Sequence, residues 1–447
     1  MTDLFLIRHG KSSWADESLR DQERPLNARG QQQLRALARA AQHLGALDGL
    51  VLSSHARRAT QTLAGITAGK GPHTRIITKA ELYTFDYRVL LKQLAIAEDE
   101  RTITIVGHNP ALLDLASYLL ESPPDSFPTG SLMHIRLPAR PWSQLKKRSG
   151  TLQALLTPKD ISYSQFIRKR KKTPRTSNKP LANHIPDVLV HQYQLMRDLE
   201  AGVMHGFDDE FLHQYRIAIR RSRAIAESVV ELTGDTGLKK ASRHLKRHAR
   251  ATSALRDLHV FIANFDKTLG EAGALSFFQS AANTRHQQLK EHLQKPTYQR
   301  EMDHWYRLIS SSAFRKLLGK LTHQDIRNAL SRRIRHYNEL ALTLDEHSPD
   351  EDIHTLRKLL KRIRYLIELD KPTLGAGIKD LKRWQQCLGD FQDLHVQLEL
   401  LEQFQNTESC IDTGSGTINT LTNSLKRKKA KLRNKILTLG KIREIRA

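Results

Sequence analysis

A basic pattern occurs twice in this chain. The first copy consists of His213, Arg216, Arg220 and Arg223, and the second, 141 residues later, of His354, Arg357, Lys361 and Arg364. On an α-helix, each set would occupy a stripe about 80° wide. Cations three or four residues apart on a helix repel one another. Each stripe is therefore expected to face an anionic ligand, and guanidinium groups favour one rich in phosphate.

The repeat extends beyond these stripes. The segment Leu245-Lys246-Arg247, nine further residues and Asp257-Leu258-His259-Val260 recur as Leu381-Lys382-Arg383, nine residues and Asp393-Leu394-His395-Val396. This second pair of motifs is offset by 136 residues, nearly the offset of the stripes. The similar offsets indicate a large helical hairpin module that was duplicated once. The second half of the chain is therefore predicted to be all-α, with two pseudo-symmetric halves.

Most of the positive charge lies in the repeated half. The formal net charge is +25, of which residues 1–160 contribute +6 and residues 161–447 contribute +19. A field of this sign speeds the capture of anions without selecting among them. An isolated run of cations is typical of a solvated helix face, whereas a duplicated run with the same spacing favours a binding surface.

Length and cysteine content limit the class of protein. A chain of 447 residues predicts two or more domains, each with its own core. Cys387 and Cys410 are too few for a disulfide framework and suggest thiols in a reducing compartment. The first ten residues lack the order of a signal peptide, and no apolar run approaches the ~18 residues of a membrane span. We expect a soluble cytoplasmic protein without a membrane partner.

The first half alternates between strand and helix patterns. Short apolar runs at 4–7, 49–52 and 102–106 predict strands, and the patterns at 31–44 and 110–120 predict helices. Such alternation predicts a three-layer α/β sandwich, a largely parallel sheet with helices on both faces. Ligands of such sheets bind at the carboxyl ends of the strands.

Reactive side chains follow those predicted strand ends. Arg8 and His9 end the first strand, Arg58 follows the second after Ser53-Ser54, and His108 ends the third. An imidazole can attack phosphorus, and guanidinium groups can hold the phosphoryl oxygens while charge redistributes. A single histidine at a strand end is more often structural, but two histidines with two arginines favour phosphoryl transfer.

These residues carry a resemblance to the histidine phosphatase superfamily, and in particular to its bacterial phosphohistidine phosphatase branch. The matching motifs are Arg8-His9-Gly10-Lys11-Ser12-Ser13-Trp14, Arg24-Pro25-Leu26 to Arg29-Gly30, Ser54 to Thr62, and Gly107-His108-Asn109-Pro110, within residues 1–158. The resemblance implies that His9 becomes a phosphohistidine, that Arg8, Arg58 and His108 bind the phosphate, and that water hydrolyses the intermediate. It implies neither a metal nor a cofactor.

The sequence does not decide which residue, if any, is the general acid. Relatives that cleave phosphate esters carry a carboxylic acid, and Glu81, with Asp86 as a substitute, lies in the corresponding stretch of sequence. Glu81 fits a plain surface carboxylate equally well. A phosphohistidine substrate has a leaving imidazole that needs little protonation, so the lack of an acid would favour that substrate. By its spacing from Gln61 and Thr62, Arg58 rather than Arg57 matches the family arginine.

Between the two halves, residues 159–186 are predicted to be a basic connector. The run from Arg168 to Lys179 is rich in cations and contains Pro174, with few apolar residues. An independent polyanion-binding arm is the alternative interpretation of this run.

From residue 187 to 447 the pattern is helical and resembles the CHAD domain, the conserved histidine α-helical domain. Helix periodicity covers 211–232, 238–265, 325–344, 352–369, 377–403 and 421–436. The motifs that carry the resemblance are the two stripes, Arg256 to Val260 and Leu388 to Leu394. It implies two helical bundles facing each other across a basic channel that binds inorganic polyphosphate, and it suggests polyphosphate granules as a location within the cytoplasm.

The phosphate-facing positions implied by this resemblance are His213, Arg216, Arg220, Arg223, Lys246, His354, Arg357, Lys361, Arg364 and Lys382. Asp257 and Asp393 are expected to anchor neighbouring cations rather than to bind ligand. No metal is expected at His213 or His354, because the surrounding guanidinium groups would repel a divalent cation. The basic helix at 421–436 either closes the channel or is solvated.

We therefore expect a phosphatase joined to a polyphosphate-binding domain. Its substrate is expected to be a phosphohistidine or another phosphoprotein, or the bound polymer itself. The alternatives are a polyphosphate-binding scaffold with an idle phosphatase fold and a nucleic-acid-binding module. With 6% aromatic residues and no base-reading motif, binding of nucleic acid would be non-specific.

Overall fold

The computed structural model describes residues 1–68, 75–97, 100–138, 141–168, 180–271, 273–369, 378–407 and 415–442, with backbone only at 369, 378, 379 and 415. The chain divides into two compact units, Met1–Lys171 with His205–Phe211, and Lys172–Met204 with Leu212–Ala447. The first is α/β and the second is all-α, which confirms the predicted fold class. No helix within these described ranges is long and apolar enough to cross a membrane.

The first unit alternates between strands and helices. Its elements are β1 (Thr2–Arg8), α1 (Ala28–His43), β2 (Leu50–Ser54), α2 (Arg57–Thr67), β3 (Arg75–Lys79), α3 (Tyr87–Ala95), β4 (Thr102–Gly107), α4 (Ala111–Leu119), β5 (Leu132–Leu137), β6 (Thr151–Leu156), α5 (Pro158–Ile161) and α6 (Tyr163–Ile167). The three predicted strands and the two predicted helices are all present. Strands β3, β5 and β6 were not predicted.

The strand order in the six-stranded sheet is β3-β2-β4-β1-β5-β6. Strands β1 to β4 pair in parallel, whereas β5 runs antiparallel to β1, and β6 antiparallel to β5. In the register, Arg8 lies opposite Gly107 and Ser53 lies opposite Val106. The carboxyl ends of β1, β2 and β4 therefore meet at one edge of the sheet.

Two hydrophobic layers cover the sheet, one on each face. In β1, Leu4 and Leu6 join the cluster that includes Leu112 and Leu115 of α4. Phe5 and Ile7 point the other way and join a cluster with residues of α1 and α2. This alternation follows from the two-residue period of a strand, and it gives the predicted three-layer sandwich.

The second unit is built from long helices. They are α7 (Leu181–His205), α8 (Asp209–Thr233), α9 (Thr236–Ala251), α10 (Ser253–Glu271), α11 (Leu275–Gln294), α12 (Pro296–Ser310), α13 (Ser312–Leu318), α14 (His323–Thr343), α15 (Asp350–Leu369), α16 (Ile378–Gln405) and α17 (Ser415–Leu437). The periodicity at 238–265 predicts one helix, but the structure has two, because the chain turns at Thr252 between α9 and α10.

The predicted connector at 159–186 is helical at both ends. Helices α5 and α6 occupy its start, where Thr157 and Asp160 form a reciprocal capping box at the beginning of α5. Helix α7 begins at Leu181, within the predicted connector. The cationic run at 169–179 lies outside the described residues.

Candidate active site and anion cavity

The nucleophile expected from the sequence lies just beyond the end of β1. His9 is buried, with 6% of its surface exposed. Its Nδ1 lies 2.7 Å from the carbonyl oxygen of Gly10, which can only accept a hydrogen bond. The ring hydrogen is therefore on Nδ1, and the lone pair is on Nε2. The backbone N–H of Gly10 donates to Thr62 Oγ1 at 3.0 Å, which fixes this turn against α2.

Arg58, in the first turn of α2, connects His9 with the other site residues. Its Nε donates to His9 Nε2 at 3.2 Å, and its Nη2 lies 3.4 Å from His108 Nδ1. Since a guanidinium only donates, His108 Nδ1 accepts, and Nε2 of His108 donates to Ser54 Oγ at 2.9 Å. The two imidazole rings have centroids 4.9 Å apart. The three strand ends thus bring the predicted histidines and arginine together.

Arg8 reaches the same region from β1. Its Nη1 donates to the carbonyl of Phe127 at 2.7 Å, which orients the guanidinium. Its Nε is buried and has no hydrogen-bond partner among the described residues. A buried donor without a partner is costly, and an anionic oxygen in the site would satisfy it.

Burial keeps both histidines neutral. Desolvation, with the charges of Arg58 and Arg8, lowers the pKa of His9 to about 4. Desolvation, with the charges of His9 and Arg58, lowers the pKa of His108 to about 3. At neutral pH, His9 Nε2 is therefore free of a proton and available as a nucleophile.

The carboxylate at this site is Asp21, which the sequence analysis did not single out. Its Oδ2 accepts from Arg58 Nη2 at 2.7 Å and from the Tyr83 hydroxyl at 2.7 Å, and its Oδ1 from Arg24 Nη1 at 2.9 Å. Partial burial raises the pKa of Asp21, but the hydrogen bonds and charges of these partners lower it to about 2. Asp21 is therefore a permanent anion that positions Arg58 and holds no proton to donate.

Glu81 was the leading sequence candidate for a general acid, and that role stays a prediction. It lies exposed in a short 3₁₀ helix at Ala80–Leu82. Asp86, the substitute, is also exposed; it caps α3 and accepts a hydrogen bond from the Arg88 side chain at 3.1 Å. Asp21 escaped notice because it lies in a one-turn 3₁₀ helix at Asp21–Glu23, which is too short to show a periodicity. The only sequence signal was its place before the Arg24-Pro25-Leu26 motif.

In the helical unit, a cavity of about 550 Å³ brings the two sequence repeats together. Its cationic and imidazole lining includes His213, Arg216, Arg220, Arg256, His354, Arg357 and Lys361. Equivalent positions of the two repeats recur in this lining: Arg216 with Arg357, Asp257 with Asp393, and Ser253 with Gly389. The predicted pseudo-symmetric stripes therefore face one shared cavity.

The cations of the cavity crowd one another. Burial, with the charges of Arg357 and Arg220, lowers the pKa of Lys361 to about 7. Burial also lowers the pKa of His354, whose Nδ1 is hydrogen-bonded to the Gln392 side chain. Arg216 donates to Thr252 Oγ1 at 2.8 Å and to Ser253 Oγ at 3.1 Å, which hold its side chain at the bend between α9 and α10. Preorganised cations of this kind suit a polyanion.

Four of the predicted phosphate-facing residues lie outside the lining of this cavity. Arg223 pairs with Glu227 at 3.1 Å and Arg364 with Glu368 at 3.5 Å, each one helical turn away. Lys246 and Lys382 are exposed. In both copies, the last member of the stripe therefore pairs with an acidic residue four positions later, and its role toward phosphate stays a prediction.

Helix α17 contributes no residue to the described lining of the cavity. Two of its cations are held at the start of α15 instead: Lys429 and Arg433 both bond the carboxylate of Asp350. Lys429 also lies 5.3 Å from the ring of Phe391 in α16. Phe391 lies on the opposite side of that helix from the lining residue Gly389, about 160° around the axis. The notion that the last helix closes the cavity is therefore not supported. No group of three or more potential metal ligands occurs among the described residues.

Comparisons with known proteins match different families to the two parts of the chain. The family model "Histidine phosphatase superfamily (branch 1)" matches residues 4–90, and the family model "CHAD domain" matches residues 187–402. An uncharacterised chloroplast protein of Arabidopsis thaliana is 32% identical over 126 residues, which are 26% of this chain and 58% of that protein. The chain thus spans little more than half the length of that relative.

Solved structures resemble each part separately. A putative phosphohistidine phosphatase SixA from Agrobacterium tumefaciens covers 35% of this chain and 98% of its own, with 25% identity and a TM-score of 0.31. The CHAD domain of the plant Ricinus communis covers 62% of this chain and 97% of its own, with 19% identity and a TM-score of 0.51. The second comparison shows a shared helical fold. Residues 4–90 thus match the histidine phosphatase superfamily, and residues 187–402 match the CHAD domain.

Proposed function

We propose that this protein is a phosphatase that uses His9 as a covalent nucleophile, and that its helical unit binds inorganic polyphosphate. The observation that carries the phosphatase proposal is the lone pair of His9 Nε2, which faces the Arg58 guanidinium beside His108. A phosphoryl group placed there would meet the donors of Arg58 and the unpartnered Nε of Arg8. The nucleophile would already be deprotonated.

The reaction follows from this arrangement. The lone pair of His9 Nε2 forms a bond to phosphorus while the bond to the leaving group breaks, and the leaving group takes that electron pair. Arg8 and Arg58 hold the equatorial oxygens as their charge redistributes. A water then attacks the phosphohistidine, the N–P bond breaks, and inorganic phosphate leaves. His9 regains its lone pair.

The acid–base character of the site bears on the substrate. Asp21 is the carboxylate bonded to Arg58, and its pKa of about 2 leaves it without a proton at neutral pH. A phosphate ester of an alcohol needs a proton on its leaving oxygen, whereas an imidazole leaves with little help. We therefore favour phosphohistidine on a protein over a phosphate monoester, with polyphosphate as the second candidate substrate.

The cavity supports the polyphosphate-binding proposal. Matching residues of the two repeats, such as Arg216 and Arg357, line one volume of about 550 Å³. The polymer carries one charge per phosphate unit, so its recognition needs cations but no base-reading groups. The lining offers cations, amides, two carboxylates and the imidazoles of His213 and His354, but no phenylalanine, tyrosine or tryptophan for base stacking. Nucleic acid would therefore compete weakly and with a strong dependence on salt.

Phosphate release by the full-length protein tests the phosphatase proposal. It would be measured on a phosphohistidine peptide and on long-chain polyphosphate, with His9→Ala and, as a matched control, His43→Ala, whose histidine is exposed on α1. We expect His9→Ala to abolish release and His43→Ala to retain it. Equal release by His9→Ala and the unchanged protein would refute the covalent role of His9. Release from neither substrate by the unchanged protein would favour the alternative of a scaffold with an idle phosphatase fold.

Binding is tested separately from catalysis. Arg220→Ala removes a cation from the cavity lining, and Arg221→Ala removes its neighbour, which lies outside that lining. We expect Arg220→Ala to weaken polyphosphate binding by about tenfold, the effect of losing one charge-assisted contact, and Arg221→Ala to weaken it far less. Equal effects would mean that the polymer senses only the overall charge. Competition with duplex DNA at several salt concentrations would rank the two polyanions.

A further inference from the structure

The amine of Lys361 lies in the helical cavity without an acidic partner. Lys361 belongs to α15 and lines the volume of about 550 Å³ together with Arg357 and Arg220. It forms no hydrogen bond or ion pair with any of the described residues. In the same unit, Lys429 and Arg433 both pair with the carboxylate of Asp350. The Lys361 amine is therefore accessible from the cavity and is not held by an anion.

Guanidinium groups outnumber carboxylates around this amine. Four guanidinium groups and two carboxylates line the cavity: Arg216, Arg220, Arg256 and Arg357, with Asp257 and Asp393. Burial, with the charges of Arg357 and Arg220, lowers the pKa of Lys361 to about 7. About half of the Lys361 side chains are then neutral amines at pH 7, whereas an ordinary lysine is neutral in roughly one molecule in 2,500.

A neutral amine among cations is a nucleophile, because it carries the lone pair that an ammonium group lacks. The guanidinium groups beside it bind phosphate. This combination suits an electrophile whose leaving group is a phosphate. In a phosphoryl group, the charged oxygens repel a nucleophile that approaches phosphorus. In an acyl phosphate, the electrophilic carbon belongs to an uncharged carbonyl group, so the amine can approach it while the phosphate stays on the cations.

We propose that the helical cavity captures small acyl phosphates and that Lys361 is acylated there. The inference rests on the proposed binding of polyanions by the cavity, and it adds a modification site to it. The lone pair of Lys361 Nζ bonds to the carbonyl carbon, and the bond between that carbon and the phosphate oxygen breaks. Phosphate leaves with the electron pair and takes the proton that Nζ loses. The products are an amide at Lys361 and hydrogenphosphate.

Acylation of Lys361 opposes the binding of polyphosphate. The amide carries no charge, so the cavity loses one lining cation, an effect of about tenfold in the dissociation constant. A polymer chain bound in the cavity in turn covers Lys361 and excludes the acyl phosphate. The two ligands therefore compete for the same site, and the acyl group leaves a lasting record of which ligand was bound.

The expected preference for Lys361 is smaller than the gain in neutral amine. A less basic nucleophile is intrinsically less reactive, as measured for thiols. A bound anion also favours the ammonium form. After both losses, we expect Lys361 to react about tenfold faster at pH 7 than a lysine in an unstructured peptide.

Acetylation of the full-length protein by acetyl phosphate tests the proposal. An unstructured lysine peptide in the same tube serves as the reference, and mass spectrometry measures the rate at each lysine. Lys361 should react about tenfold faster than the reference at pH 7, and its rate should level off above about pH 8 while that of the reference still rises. Lys358, the exposed neighbour outside the lining, should react at close to the reference rate.

A neutral acetyl donor separates capture from reactivity. The N-hydroxysuccinimide ester of acetic acid carries no phosphate, so the cationic lining cannot concentrate it. The preference for Lys361 over the reference should be at least threefold smaller with this ester than with acetyl phosphate. The proposal is overturned if Lys361 reacts no faster than the reference with acetyl phosphate, or if the two donors show the same preference.

Polyphosphate provides the last test. Bound polymer should slow acetylation of Lys361 at least fivefold and leave Lys358 unchanged, and an undiminished rate at Lys361 would refute the shared site. Treatment that acetylates half of Lys361 should remove about half of the high-affinity polymer sites from the unchanged protein and few from Lys361→Arg. If the unchanged protein does not bind polyphosphate, the proposed function fails, and the rates measured without polymer still decide whether Lys361 is an acylation site.

Discussion

The lysine in the helical cavity is expected to make the proposed polyphosphate binding sensitive to pH. Lys361 lies beside Arg357 and Arg220, and burial with these charges lowers its pKa to about 7. A lowered pKa means that the ammonium form is lost as pH rises through about 7. A polyphosphate chain placed against Lys361 favours the charged form, so binding is accompanied by uptake of a proton.

The size of the effect follows from the fraction of molecules in which Lys361 is protonated. About nine tenths of Lys361 is protonated at pH 6, half at pH 7 and about one tenth at pH 8. The neutral form is expected to bind about tenfold more weakly, the effect of losing one lining cation. The apparent dissociation constant should therefore increase about fivefold between pH 6 and pH 8. His213, His354, Asp257 and Asp393 also line the cavity, so a variant at Lys361 is needed to assign the change.

Titration calorimetry with long-chain polyphosphate, at pH 6, 7 and 8 and constant ionic strength, measures this dependence. Long chains keep the contribution of terminal phosphates small. Buffers of different ionisation enthalpy would report about half a proton taken up per site at pH 7. Lys361→Arg keeps the charge across this range, so its binding should be nearly independent of pH. Lys358→Ala removes the exposed neighbour outside the lining and should behave like the unchanged protein. The same slope in Lys361→Arg as in the unchanged protein would refute the assignment.

Two further predictions concern the active site and the last helix. Burial lowers the pKa of His9 to about 4 and that of His108 to about 3, so both imidazoles should stay neutral as the pH falls to about 5. An NMR titration that resolves individual histidines should find titration midpoints near these values. A midpoint near 6.5 for His9 would contradict the prediction. Because Asp350 pairs with Lys429 and Arg433, Asp350→Asn should lower the free energy of unfolding of the helical unit by about 1–3 kcal/mol. Urea denaturation followed by circular dichroism would measure the loss. The control variant Glu351→Gln, at an exposed neighbouring residue, should lose well under half as much, and equal losses would rule out a stabilising role for the ion pairs of Asp350.

The phosphatase site shows what local sequence can and cannot reveal. His9, Arg58 and His108 were predictable because they follow apolar runs, and parallel strands place their carboxyl ends at one edge of the sheet. Asp21 was not predictable in this way. It lies in a one-turn 3₁₀ helix 37 residues before Arg58, and only the packing of that segment against α2 brings the two side chains together. Glu81 was proposed from its sequence neighbourhood, but its short helix leaves it exposed.

The helical repeats show the same contrast. The helical period places Arg216 and Arg220 on one face, and the duplication predicts two such faces. The helical period does not show which cations pair with an acidic residue of the same helix. Glu227, four residues after Arg223, could have predicted this ion pair from the sequence. Lys246 and Lys382 occupy equivalent positions in the two repeats, as the stripe residues do, yet they are exposed and do not line the cavity.

The sequence by itself determined the two fold classes, the helical stripes and the placement of reactive residues at strand ends, because each depends on a local period of two or 3.6 residues. Only the tertiary structure decided that the two stripes line one cavity, that Lys361 is buried beside Arg357 and Arg220, and that Asp21 pairs with Arg58 and Tyr83. These features depend on how distant segments pack, and burial and charge are properties of that packing rather than of any segment alone.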